Sequence, residues 1–104
     1  MLEELSAKVR SGEINPVDLV NESLRRFEAA SSLNAVVATF ADEARALASS
    51  HPRTGALAGL PFLVKDMARV QGHVTTSGST LYANGLSDEV DDSVVSRLRE
   101  AGAI

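Results

Sequence analysis

The chain has 104 residues, 44% of them apolar, a length and composition that suit one modest globular domain. Its formal net charge of −4 and scattered basic residues argue against a dedicated nucleic-acid or anionic-membrane surface, and it has no cysteine for disulfide or thiol chemistry. Only four aromatics occur, three Phe and one Tyr, so the core is expected to be light and aliphatic.

The N-terminus, Met1-Leu2-Glu3-Glu4, is acidic and lacks the apolar region of a secretory signal. No apolar run approaches bilayer length, so the expected localisation is cytoplasmic, with no membrane partner. Leu2, Leu5 and Val9 share one helical face, and Ser11-Gly12 stops that helix. Asn15-Pro16 opens the next, with Asn15 as cap and Pro16 at the first helical position. Asp18 suits the positive end of the helix dipole, and Ile14 and Leu19 can staple the entry. Val17, Val20, Leu24 and Phe27 then form a stripe at helical spacing, which reads as core.

Ala35 to Phe40 is a short apolar run that is compatible with an extended segment or with helix. Ala41 to Ser50 is alanine-rich and helical by propensity, with His51-Pro52 ending it. Leu60 to Val64, entered through Gly59 and Pro61, reads as a buried strand that delivers Lys65 to its own end. Burial disfavours an ammonium, which is how a fold turns a lysine into a base; a lysine leaving a sheet edge for water is the plainer reading. Asp66 would face away from the lysine and anchor the loop that follows. That loop, Gly72 to Thr80, is rich in Thr, Ser and Gly. Asp91-Asp92-Ser93 offers a helix cap, with Val94, Val95, Leu98 and Ala101 facing inward and Gly102 just past the end. Ala103-Ile104 starts a new apolar segment, read as the second strand of a βαβ unit, which implies a truncated domain.

Three blocks are recognisable together: Gly59-Leu60-Pro61-Phe62-Leu63-Val64-Lys65-Asp66, then Gly72-His73-Val74-Thr75-Thr76-Ser77-Gly78-Ser79, then Asp92-Ser93-Val94-Val95-Ser96-Arg97-Leu98-Arg99-Glu100-Ala101-Gly102-Ala103-Ile104. In this order and spacing they resemble the amidase signature family, and Leu33-Asn34-Ala35-Val36-Val37 resembles its N-terminal region. The resemblance implies an α/β fold: the N-terminal part of an α/β/α domain with a mixed central sheet, cut after the first crossover helix. Residues 1–104 would be one fragment of a single domain, with 1–50 mainly helical and 55–104 carrying the lysine strand, the Thr/Ser/Gly loop and the crossover helix.

By the same resemblance, Lys65 is the catalytic base of a Ser-Ser-Lys triad and the activity is amide hydrolysis through an acyl-enzyme. Both serines would lie in a Gly- and Ser-rich segment with no counterpart in these residues, so the fragment alone is expected to be inactive. The implied partners are a small-molecule amide substrate and the remainder of the amidase domain, and a homo-oligomer is compatible with the sequence. No cofactor and no metal is implied. Two other readings stand beside this one: an amidase (glutaminase) subunit of a tRNA-dependent amidotransferase, and a non-catalytic helical interaction module.

Other constellations carry less. Ser77-Gly78-Ser79 places hydroxyls around a glycine but lacks a histidine base or a nucleophile elbow, leaving Thr76 or Ser79 at most a supporting role. His51 and His73 stand apart from metal-ligand spacing, and the acidic group at 88–92 lacks the glycine of a calcium loop. Met67 and Arg69 depart from the family's usual pattern in the loop after Lys65.

Overall fold

The computed structural model describes all residues, Met1–Ile104. Four α-helices follow in chain order: α1 (Leu2–Ser11), α2 (Pro16–Ala29), α3 (Ala41–Ser50) and α4 (Ser93–Glu100), with short 3-10 turns at Ser31–Leu33 and Thr80–Tyr82. The chain forms two compact units, one of Met1–Phe62 with Ala101–Ile104, the other of Leu63–Glu100.

The helical half follows its sequence signals closely. α1 ends at Gly12, whose φ of 81° is the left-handed conformation that glycine adopts without a Cβ penalty. Asn15 caps α2, its side chain accepting from the Val17 N–H at 3.1 Å, and Pro16 occupies the first helical position. Val20, Ala48 and Ile104 form the buried cluster of the first unit, with Val17, Leu24, Ala44 and Leu47 packed against it. Val17, Val20 and Leu24 of the stripe predicted on α2 therefore lie on the face that meets α3. Burying a valine such as Val20, 2% exposed, is worth about 1.5–3 kcal/mol, so this cluster outweighs the weak intrinsic preference of either short helix.

Leu60 to Val64 is not the regular strand the sequence predicts, and no residue of the chain has strand structure. What exists is one exchange: the Ile104 N–H donates to Leu60 C=O at 2.9 Å, and the Phe62 N–H donates to Ile104 C=O at 2.9 Å. One residue bonded to the two that flank its opposite number is the parallel pattern. Ile104 alone pairs with this segment, so this is a single bridge, and a strand needs a run of such partners. The α/β expectation is thus corrected for this chain, which is helices and turns around one strand-like pairing. Ala35 to Phe40 likewise has neither helix nor strand structure, and it leads into α3, where the Phe40 carbonyl accepts the Ala44 N–H at 2.8 Å. Val94 does not face inward but is 55% exposed, while Val95 is buried.

The bridge depends on close backbone approach. Gly59 N–H donates to Gly102 C=O at 2.9 Å, and Leu57 N–H to Ala101 C=O at 2.8 Å. A Cβ on Gly102 would sit 2.2 Å from the Thr54 carbonyl oxygen, and its φ is +96°. A Cβ on Gly55 would lie 2.2 Å from the Ala101 carbonyl oxygen. Both obstacles are main chain, which cannot rotate aside.

Gly102→Ala is therefore expected to destabilise the protein by about 2–5 kcal/mol, the sum of overpacking and left-handed strain. Gly72→Ala, at φ +84° with nothing within 4 Å of the added Cβ, should cost only the conformational part, about 1–2 kcal/mol. Urea midpoints of the two variants decide the matter, and equal losses would remove the steric account.

Candidate active-site lysine and its carboxylate clamp

Lys65 begins a tight turn. Its carbonyl oxygen accepts from the Met67 N–H at 2.7 Å and from the Ala68 N–H at 3.0 Å, so residues 65–68 reverse direction. The backbone is thus pinned while the side chain is exposed. The solvent exclusion expected from a strand end is not provided within these residues, since there is no strand and no wall around the amine.

Asp66, the next residue, points elsewhere. One carboxylate oxygen accepts from the Thr76 N–H at 2.8 Å; the other accepts from the Thr76 hydroxyl and from the Gly78 N–H at 3.4 Å. Ser77 and Gly78 both have positive φ, 52° and 70°, which turns successive amides toward one concavity. A carboxylate filled by such donors is favoured in its charged form. The Thr76 hydroxyl first, then the Thr76 amide, hold the Asp66 carboxyl below its ordinary value. The anchoring role predicted for Asp66 is what the geometry has, and it leaves Lys65 without an ion pair.

Three more carboxylates hold the same unit. Asp88 accepts the Thr75 hydroxyl at 2.5 Å, its carbonyl accepts the Gly72 N–H at 2.9 Å, and its own N–H donates to His73 C=O at 2.8 Å. Asp91 accepts the Gln71 N–H at 2.8 Å and pairs with Arg99 at 3.1 Å. Asp92 accepts the Arg69 N–H at 2.8 Å and its Nε at 2.9 Å, and these bonds, backbone first, lower its carboxyl. The sequence predicts capping for Asp91 and Asp92. Asp92 does hold the position before α4, its carbonyl accepting the Ser96 N–H at 3.0 Å, but both carboxylates are spent on the 69–71 loop. Sequence reasoning missed Arg69, Asp88 and Arg99 as members of this framework, because pairs 8 to 23 residues apart leave no local periodicity. His51 and His73 join no cluster of metal-ligating side chains, and no group of three such residues comes together.

Residues 18–104 match the amidase family. The chain belongs to the amidase signature family. Among curated relatives, a glutamyl-tRNA(Gln) amidotransferase subunit from Deinococcus radiodurans is 37% identical over 106 residues, covering 97% of this chain and 22% of the relative. The corresponding subunit from Burkholderia cenocepacia is 38% identical over 109 residues, covering 99% of this chain and 22% of the relative. Among solved structures, an amidase crystal structure superposes with a TM-score of 0.82 at 32% identity, over 98% of this chain and 25% of that one. A vestigial complex described as revealing the origins of an s-triazine catabolic enzyme gives 0.90 at 29% identity, over 99% and 24%. The chain therefore spans about a fifth to a quarter of the length of these relatives, and its backbone follows that of the solved structures where they overlap. No helix is long and apolar enough to cross a membrane.

Because native Asp66 and Asp92 bind protons less readily than unfolded carboxylates, their stabilisation is full above the unfolded value of about 3.9 and is lost as pH falls through the native values. Residues 63–100 should loosen below about pH 4. Amide exchange at Thr76 and Arg69, followed by NMR, reports this directly. Asp66→Asn should flatten the dependence at Thr76 alone, and an unchanged profile there would remove Asp66 as its source.

Proposed function

We propose that this chain supplies the base of an amide hydrolase working through an acyl-enzyme, and that Lys65 is that base. The reading rests on one coincidence: family membership over residues 18–104, and a lysine in the first matched block whose backbone is pinned while its amine is free to be reached.

The family resemblance supplies the rest of the scheme. A serine hydroxyl attacks the amide carbon, and its proton passes to a bridging serine as that serine gives its own to neutral Lys65 Nζ. The carbon–nitrogen bond breaks with return of the proton to the leaving amine. Water then attacks the acyl-serine ester along the same relay in reverse, releasing the acid and the free serine. Backbone N–H groups of the serine-bearing segment would hold the oxyanion. Desolvation of the amine, which these residues do not provide, would fall to that part of the fold.

A second reading has a specific observation in its favour. The curated relatives at 37% and 38% identity are glutamyl-tRNA(Gln) amidotransferase subunits, so the hydrolysed amide would be glutamine and the ammonia would pass to a partner enzyme. Glutaminase activity that rises when partner subunits are added favours this; ammonia release indifferent to them favours free hydrolysis.

Lys65→Ala in the complete enzyme is expected to lower amide turnover by about 100-fold or more, the range for loss of a positioned base. Turnover surviving within about tenfold, a barrier change near 1.4 kcal/mol, would end the assignment.

A further inference from the structure

The bonds around Asp66 have a direction that the proposed chemistry does not use. The carboxylate faces Thr76 and Gly78, ten and twelve residues on, while the peptide joining it to Lys65 fixes the lysine Cα about 3.8 Å from its own. The Lys65 carbonyl is held from the other side by Met67 and Ala68. The Lys65 carbonyl and the Asp66 carboxylate are thus both held, so the main chain that follows the lysine Cα is restrained while its four-carbon stem stays free. The Thr76 hydroxyl shares one carboxylate oxygen with the Gly78 amide, and a bond to a charged acceptor is stronger than a neutral one.

We propose that Asp66, through Thr76, is a positioning residue for Lys65: the clamp between the 65–68 turn and the 76–78 turn sets where the lysine amine can reach. The inference rests on the reading of Lys65 as the base and deepens it. It assigns Thr76 a role that its hydroxyl carries and its methyl does not. The substitution series follows from that chemistry: Thr76→Val keeps shape and the backbone N–H bond but loses the hydroxyl donor, Thr76→Ser keeps the hydroxyl and loses a methyl, and Asp66→Asn keeps shape and loses the charge.

The test measures ammonia release from glutamine and from propionamide by the complete enzyme, for these three variants and Lys65→Ala. Thr76→Val and Asp66→Asn should each lower kcat about tenfold or more with KM within about twofold, and Thr76→Ser should recover to within about threefold. A purely structural clamp would lower the amount of folded enzyme, so kcat is referred to the folded fraction measured by circular dichroism. A substrate-free readout runs beside it. The chain contributes Lys8 and Lys65, so after reductive methylation of the complete enzyme with 13C-formaldehyde the Lys65 signal is the one that Lys65→Ala removes. The Lys65 signal should shift or broaden in Thr76→Val and return in Thr76→Ser.

Wild-type kcat in both Thr76→Val and Asp66→Asn, a Thr76→Ser variant as poor as Thr76→Val, or a loss confined to KM would each overturn the proposal. If Thr76→Val does not fold, Asp66→Asn and Thr76→Ser decide it on the same criteria. If neither amide is turned over, an unchanged Lys65 signal overturns it and a donor-dependent one sustains it. Loss of turnover in Lys65→Ala with none in the clamp variants sinks the positioning role alone, whereas turnover surviving in Lys65→Ala sinks the base reading.

Discussion

The first unit turns on two segments of main chain pressed together with no side chain between them. Gly55 and Gly102 each stand where a Cβ would reach 2.2 Å from a carbonyl oxygen of the other segment. That proximity lets Leu57 and Gly59 donate to Ala101 and Gly102, and it brings Ile104 between Leu60 and Phe62. Ile104 then takes its place with Val20 and Ala48 in the buried cluster. Helix packing and backbone pairing are thus parts of one arrangement, in which the glycines set the distance and the aliphatic side chains fill what remains.

The second unit is held by different means. Val70 and Val95 are its only buried apolar residues, which is little for a unit of mostly irregular chain spanning Leu63–Glu100. Its order comes instead from four carboxylates that each collect backbone or side-chain donors across 10 to 23 residues of sequence. Irregular backbone has amides with no helical or strand partner, and an ionised carboxylate with two oxygens can satisfy several of them at once. This arrangement fixes loop positions without a sheet, and it places the turn bearing Lys65 within a charged framework sensitive to acid.

Membership of the amidase signature family joins these observations to a chemistry. Lys65 lies in the first of the recognised blocks and Thr76 in the second, and the Asp66 carboxylate links the two through hydrogen bonds. The blocks are therefore neighbours in space as well as successive in sequence. If Lys65 is the base we propose, it gains from a fixed Cα, because misplacement of a reacting group by an ångström costs orders of magnitude in rate.

Local chemistry determined the helices. Gly12 as terminator, Asn15-Pro16 as entry, the α2 stripe and the alanine-rich α3 were legible because capping and 3.6-residue periodicity act within a few positions. The anchoring role of Asp66 was legible too, since a carboxylate beside a Gly- and Ser-rich loop has donors at hand. The sequence alone also singled out Lys65, through its family blocks. Tertiary structure decided the rest. Leu60 to Val64 has strand-forming residues yet no strand, because a strand exists only with partners along its length and one residue, Ile104, provides them. Asp91 and Asp92 look like caps, yet their carboxylates serve Arg69 and Gln71, because the donors that claim them lie some twenty residues away. Which amides a carboxylate satisfies depends on where the chain returns, and only folding brings the chain back.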